Sequence, residues 1–328
     1  MAKPLPVTVL TGFLGSGKTT LLRRALASPA FADTAVVINE IGEIGIDHYL
    51  VNVVAGDVLE LPGGCLCCAI REDLARTLRM LIERREEGAV RPFRRLVVET
   101  TGLADPAPIL YTLGADPLLD RALAPAGVVT VVDALTGART LARFAEAGRQ
   151  AALADAIVIS KTDLAPFGPD LARRLDALNR HAERVPAAVA DPANLLFGRT
   201  AHPAVPEGPL AVHSHGIDAF AIVLTGALSR LDFARALGGL ARARGGDLLR
   251  VKGILRFSDR PDRPAVVQAA QHTLFAPEWL DGWPDADERS RLVFIVHDIP
   301  RAEILERFAF AAPAPWSPAP PPFHPHQQ

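Results

Sequence analysis

Residues 12–19 read GFLGSGKT, and no other stretch restricts the fold of this chain as tightly. The run has the spacing G-x-x-x-x-G-K-[ST]. It follows the apolar run VTVL at 7–10 and leads into KTTLLRRALA at 18–27, whose apolar spacing is helical. A strand, a glycine turn and a helix in that order make a loop whose N–H groups converge on phosphate oxygens, with the helix N-terminus adding partial positive charge. Further β-branched runs, AVVINE (35–40), RRLVVET (94–100), GVVTVVDA (127–134) and DAIVISK (155–161), supply neighbouring strands. Between them REDLARTLRMLIERREE (71–87) has Leu74, Leu78, Leu81 and Ile82 on one side of a helix. The alternation predicts an α/β fold, a P-loop domain with a mainly parallel sheet and flanking helices on both faces.

From about residue 190 the texture changes. ADPANLLFGRTAHPAVPEGPL is rich in proline, alanine and glycine and reads as a linker, spanning 191–212. It separates a domain at 1–190 from a smaller α+β domain at 213–311. That domain is expected to hold strands AFAIVLTG (219–226), LLRVKGILRF (248–257), PAVVQAAQHTLF (264–275) and RLVFIVHD (291–298), with helices at 230–244 and 301–310. Residues 312–328 read as a proline-rich flexible tail. Two domains suit 328 residues at about 150 each, and 49% hydrophobic residues can bury a core. A net charge of -2 gives no global attraction to nucleic acid or to an anionic membrane. No run approaches the roughly 18 apolar residues of a membrane span. The N-terminal apolar run ends in the glycine motif without a cleavage site, so the expected compartment is the cytoplasm, where thiols stay reduced.

The motifs define a nucleotide site. Gly12, Gly15 and Gly17 let the loop curl around phosphates, with Ser16 and Thr20 completing the set. Lys18 is placed to neutralise the β and γ phosphates, and Thr19 to ligate Mg²⁺. In VVETTG (97–102), Glu99 ends the third strand, where an acid can bind Mg²⁺ through water or position the attacking water. ISKTD (159–163) ends another strand: Asp163 can accept from the ring N–H and 2-amino group of guanine, and Lys161 can lay its stem along the base. Adenine lacks both donors, so the expected nucleotide is GTP. Ser160 stands where the usual guanine signature has Asn, which puts one loop-supporting contact in doubt.

All three cysteines, Cys65, Cys67 and Cys68, fall in GGCLCC at 63–68. Packing cysteines would be scattered, and a disulfide between Cys67 and Cys68 would be strained. Three thiolates form a soft ligand set for Zn²⁺, Cu⁺ or similar ions but do not close a tetrahedral site. The fourth ligand is left to water, a carboxylate such as Glu40 or Glu43, a distant histidine or a client protein. An open site suits transfer better than storage. His213 and His215, spaced H-x-H, can face one side of a strand and bind a metal, although hydrogen bonding beside a linker is the more ordinary role. His324 and His326 read as incidental to a flexible end.

Taken in order, GFLGSGKTT, INEIGEIGID, GGCLCC, ETTGLADP and SKTD resemble the CobW-type family of P-loop GTPases. HSHGID (213–218), LLRVKGILRF, VVQAAQHTLF and RLVFIV resemble its C-terminal domain. The resemblance implies a GTP-dependent metallochaperone for zinc, cobalt or iron, with Cys65, Cys67 and Cys68 as the metal thiols. It also implies a nucleotide-sensing segment around Glu40 and Glu43. The long histidine-rich stretch of several members is absent.

The expected mechanism is linkage. GTP·Mg²⁺ orders segment 39–47, which leads on to the cysteine loop, and hydrolysis releases it so that a client metalloprotein takes the ion. Zn²⁺ is the expected cargo; cobalt or iron delivery for cobalamin synthesis or nitrile hydratase activation stands as the alternative within the family. A regulatory GTPase with structural cysteines and a small-molecule kinase are the readings outside it. A homodimer is left open.

Overall fold

The computed structural model describes residues 4–39, 58–60, 67–180, 182–197, 216–226, 228–284 and 287–315; of residues 39, 58–60, 67–73 and 314–315 it describes the backbone alone. The first half builds a parallel sheet of β1 (Leu5–Thr11), β2 (Thr34–Asn39), β3 (Val58–Glu60), β4 (Arg95–Thr100), β5 (Leu123–Asp133), β6 (Ala156–Ser160) and β7 (Glu183–Pro186), in the order β3-β2-β4-β1-β5-β6-β7. Alternation of side chains sorts each strand between two cores. Val7, Val9, Val37 and Val98 pack on one face against α2 (Cys67–Glu86) and α3 (Ala107–Ala115), through Leu74, Leu78 and Leu110 among others. Leu10, Val36, Val97 and Val131 pack on the other against α1 (Lys18–Leu26) and α8 (Pro192–Phe197). α4 (Pro117–Ala122), α5 (Gly137–Arg143), α6 (Ala145–Ala152) and α7 (Pro169–Asn179) complete the helical layers. Leu10 pairs with Glu99, Ile38 with Glu99 and Asp133 with Ser160, so the strand ends that carry the motifs share one edge of the sheet.

The second half forms an antiparallel sheet of β8 (Ile217–Leu224), β9 (Arg250–Leu255), β10 (Ala265–Ala270), β11 (Thr273–Leu274), β13 (Ser290–His297) and β14 (Pro313–Pro315), in the order β11-β10-β9-β13-β8-β14, with β12 (Glu278–Trp279) on β10. α9 (Arg230–Arg244) and α10 (Arg301–Arg307) close a core of Ile222, Leu237, Leu240, Phe294, Ile304 and Phe308. No helix among the described residues is long and apolar enough to cross a membrane.

Several local readings change. The helix expected over 71–87 begins at Cys67, because Cys-Cys-Ala-Ile offers no polar contrast from which to read a helical face. The single strand expected over 264–275 breaks at Gln271, which takes φ 50 and turns β10 into β11, without the Asn-Gly or Asp-Gly signal such a turn usually carries. The helix expected over 301–310 ends at Arg307 and gives way to a 3-10 turn at Ala309–Ala311. Two stretches read as linker and tail hold short elements: α8 packs Leu195 and Leu196 beneath α1, and β14 pairs with β8 at Pro313↔Leu224.

The two units share a boundary. Ala270 and Phe275, from the β10–β11 hairpin, join the core of the first unit beside Leu110 and Leu113. A side chain on Gly114 would meet Thr273 at 2.2 Å and Phe275 at 2.6 Å, so α3 and the hairpin approach through the absence of a Cβ. Leu153, just beyond α6, packs with Ile217 and Leu249. Asp155 accepts from Arg250 Nη2 at 2.8 Å and from the Val128 N–H at 2.8 Å, and pairs with Lys252. Burial alone would raise the pKa of this carboxyl, but the charges of Arg250 and Lys252 and the hydrogen bonds from Lys252 and Val128 outweigh burial and hold it far below the usual carboxylate range.

Candidate nucleotide and metal site

Gly12, Gly15 and Gly17 have φ of 143°, 70° and 100°, a left-handed series that only glycine takes without strain. At Gly12 space is the second constraint, since a Cβ would lie 2.3 Å from the Val131 carbonyl oxygen. The loop delivers Lys18 to the head of α1, almost fully buried, where its Nζ donates to the carbonyls of Gly12 at 2.8 Å and Phe13 at 3.4 Å. The ammonium therefore lies folded across the mouth of the loop. Thr19 Oγ1 donates to Glu99 Oε1 at 2.8 Å. A hydroxyl and a buried carboxylate side by side at the end of a phosphate loop form a hard-oxygen donor set, which fits Mg²⁺.

The turn after Glu99 presses on the loop: a Cβ on Gly102 would come within 2.7 Å of Leu14 N. Gln150, on α6, donates from Nε2 to the carbonyls of Gly102 at 3.2 Å and Ala104 at 3.0 Å, and Arg149 pairs with Asp105 at 3.1 Å. Gly102 and Gln150 were not among the residues singled out from sequence. The first was visible in the ETTG run, but the second carries no local signal.

Ser160 Oγ donates to the Ser16 carbonyl at 2.6 Å, so the residue that replaces Asn still ties its loop to the phosphate loop. Lys161 takes φ 56, and its Nζ lies 3.9 Å from Asp133 Oδ2. Asp133, buried at the end of β5, is fixed by the Thr136 N–H at 2.6 Å and hydroxyl at 2.8 Å. Gly17, Thr20, Arg24, Lys161, Asp163 and Ala187 help line a cleft of about 290 Å³. The structure thus gathers Gly12, Gly15, Ser16, Gly17, Lys18, Thr19, Thr20, Glu99, Lys161 and Asp163 around one edge of the sheet.

Cys65, Glu40, Glu43 and the pairs His213/His215 and His324/His326 lie outside the described residues, as do the side chains of Cys67 and Cys68. Among the described residues no group of three or more His, Cys, Asp or Glu could hold a metal ion. β3 pairs Glu60 with Ile38, which also pairs with Glu99, so β3 ends at the nucleotide edge, and Cys67 and Cys68 are the first residues of α2.

A parallel sheet with a glycine loop that leads into a helix through a lysine and a threonine has the architecture of a P-loop nucleotide-binding domain. Residues 6–186 match the CobW/HypB/UreG nucleotide-binding domain, and residues 217–312 match the cobalamin synthesis protein cobW C-terminal domain. The chain belongs to the CobW/HypB/UreG family of GTPases. It is 33% identical over 315 residues to the zinc chaperone YjiA of Escherichia coli, covering 93% of this chain and 98% of that protein. Over 352 residues it is 29% identical to the zinc chaperone CobW of a Sinorhizobium species, covering 92% and 95%. The crystal structure of the Zn(II)-bound YjiA GTPase superimposes with a TM-score of 0.69 at 29% identity, over 94% of this chain and 99% of that one.

Proposed function

We propose that this GTPase is a zinc metallochaperone, which loads Zn²⁺ on Cys65, Cys67 and Cys68 and passes it to a client metalloprotein under control of the bound nucleotide. What supports this most is where the described backbone on either side of the motif lies: Glu60, the last residue of β3, stands level with Glu99 of β4 with only β2 between them, and Cys67 and Cys68 open α2. The names of the relatives, zinc chaperones over nearly their full length, support zinc over cobalt or iron. Three thiolates also favour Zn²⁺ over Co²⁺ intrinsically.

In this reading the N–H groups of residues 12–20 hold the phosphates of GTP. Lys18 leaves the Gly12 and Phe13 carbonyls to meet the β and γ oxygens, and Asp163 selects guanine while the Lys161 stem covers the base. Thr19 and Glu99 hold Mg²⁺, which supplies charge neutralisation along the triphosphate. Glu99 also orients the attacking water by accepting a hydrogen bond from it. Segment 39–47, with Glu40 as a further metal-ligand candidate, reports the γ-phosphate to the cysteines. Metal then tightens GTP binding by the same factor that GTP tightens metal, typically about 5–150-fold. The cytoplasm is the compartment this thiol chemistry needs, and a second copy of the chain is a further partner to test.

The test is a competition titration of the reduced protein with Zn²⁺ and Co²⁺, in Mg²⁺ with a non-hydrolysable GTP analogue and again with GDP. We expect metal affinity to rise about tenfold or more with the analogue, and Cys67→Ala to remove the effect. Equal affinities in the two nucleotide states would leave a regulatory GTPase with structural cysteines.

A further inference from the structure

Three pieces of chain wall the cleft beside the phosphate loop: α1 through Thr20 and Arg24, the loop after β6 through Lys161 and Asp163, and the turn after β7 through Ala187. Ala187 stands just beyond Pro186, the last residue of β7. Its N–H donates to the Ile159 carbonyl at 2.8 Å, which ties the turn to β6. Its carbonyl accepts from Arg24 Nη1 at 2.5 Å, which ties the same residue to α1. Arg24 follows Thr20 by one helical turn, so both stand on one face of α1. The helix that presents Lys18 and Thr19 at its head thus reaches the β7 turn with Arg24. The bonds that join these walls differ in kind. Ser160 to Ser16 is buried and Ala187 to Ile159 is backbone to backbone, whereas Arg24 is an exposed residue on a long stem. Water competes most readily for the last, so it is the bond that opens at least cost.

We propose that Arg24 is a positioning residue for the bound nucleotide: by holding the Ala187 carbonyl it keeps the β7 turn closed against α1, and letting go of that carbonyl opens the cleft for the nucleotide to leave. Arg24 acts on the wall and not on the nucleotide itself. Its effect is therefore the same for a diphosphate and a triphosphate, and it depends on the donor and not on the positive charge alone. Arg23, its neighbour on α1, is equally charged and exposed but is not among the residues that line the cleft, which makes it the matched control.

The proposal rests on the GTPase reading, and the test keeps the two apart. Fluorescent GDP and a fluorescent non-hydrolysable GTP analogue are loaded on the full chain and on Arg24→Met, Arg24→Lys and Arg23→Met, and release is timed after excess unlabelled nucleotide is added. Arg24→Met keeps an apolar stem and loses the donor. It is expected to release both nucleotides about 2–12-fold faster, the worth of one hydrogen bond, and by the same factor for each. Arg24→Lys retains a donor and should recover part of the difference, while Arg23→Met should release like the parent. A larger rise for the GTP analogue than for GDP, or an equal rise in Arg23→Met, would mean that charge near the phosphates is what matters. Unchanged release in Arg24→Met would mean that the bond holds nothing. Each of these overturns the proposal. Hydrogen exchange of the nucleotide-free chain gives an independent reading. The amides of Ala187, Val189 and Ala190, which donate to Ile159 and Pro186, should exchange faster in Arg24→Met while those of α1 keep the parent's rates. Faster exchange throughout α1 would make Arg24 merely a support of its own helix and would overturn the proposal. If the parent chain binds neither nucleotide, the GTPase reading fails, while exchange still decides whether Arg24 holds the turn.

Discussion

Ser160 Oγ donates to the carbonyl of Ser16 at 2.6 Å, so the loop that carries Lys161 and Asp163 and the glycine loop that leads into α1 are joined by one short bond. A serine in place of asparagine does not leave the contact unmade; it moves it onto the phosphate-loop backbone. Ser160→Ala removes that bond from a buried site, at about 0.5–1.5 kcal/mol. GDP and GTP affinities should fall together by roughly 2–12-fold, with little change in kcat at saturation. Fluorescent-nucleotide titration checks the first outcome and steady-state phosphate release the second.

Asp163 is among the residues that line the cleft and brings a carboxylate with two acceptor oxygens. Asp163→Asn converts one of them into a donor, which suits the 2-oxo group of xanthine and repels the 2-amino group of guanine. A hydrogen bond to a charged group contributes about 1.5–3 kcal/mol, so GTP affinity should drop by roughly 10–150-fold. Competition with XTP should show that nucleotide binding gained, and equal losses for GTP and XTP would show that Asp163 does not face the base.

The Thr19–Glu99 pair, 2.8 Å apart, predicts a split between binding and turnover. Glu99→Gln keeps the size of the side chain and one acceptor but loses the negative charge. Single-turnover hydrolysis should slow by about 10²–10⁴-fold, the range for a lost acid–base partner, while GDP affinity without Mg²⁺ should not fall, because the charge removed is a negative one beside the phosphate loop.

At the boundary between the units Asp155 holds Arg250 and Lys252. Its folded pKa is depressed below the ordinary 3.8, so its contribution is fully present above that value and is lost as pH falls below it towards the folded value. Denaturant midpoints should therefore not report this group between pH 5 and 8, and should begin to do so below about pH 4. Asp155→Ala removes the acceptor shared by buried Arg250, part-buried Lys252 and the Val128 N–H. A loss of about 3–5 kcal/mol is expected at pH 7, measured by urea unfolding, with a smaller loss at pH 3.

What the sequence disclosed follows from how local each feature is. The phosphate loop, ETTG and SKTD are contiguous runs whose chemistry depends on their own backbone, and they stand together at one sheet edge. Asp133 and Gln150 are different. Asp133 meets Lys161 only because β5 and β6 pair Asp133 with Ser160, and Gln150 meets Gly102 only because α6 packs beneath that turn. Neither relation has a spacing along the chain that could announce it. Asp155 is hidden for the same reason, with its partners 95 and 97 residues away. The turn at Gln271 escaped notice because its positive φ falls on a residue type that rarely takes one.

Gly114 has a consequence for how such a chain could be assembled or cut. Thr273 and Phe275 occupy the space where any side chain at that position would stand, and Phe275 finishes a core that begins in the first half of the sequence. Truncation after β7 would bare Leu110 and Leu113 to water, and the severed half should be sticky rather than a smaller working enzyme. Grafting a foreign second half onto the same stump would need a hairpin cut to this socket. The two halves are a matched lock and key, and a gene fusion that joined them without reshaping α3 would have produced two misfitting neighbours.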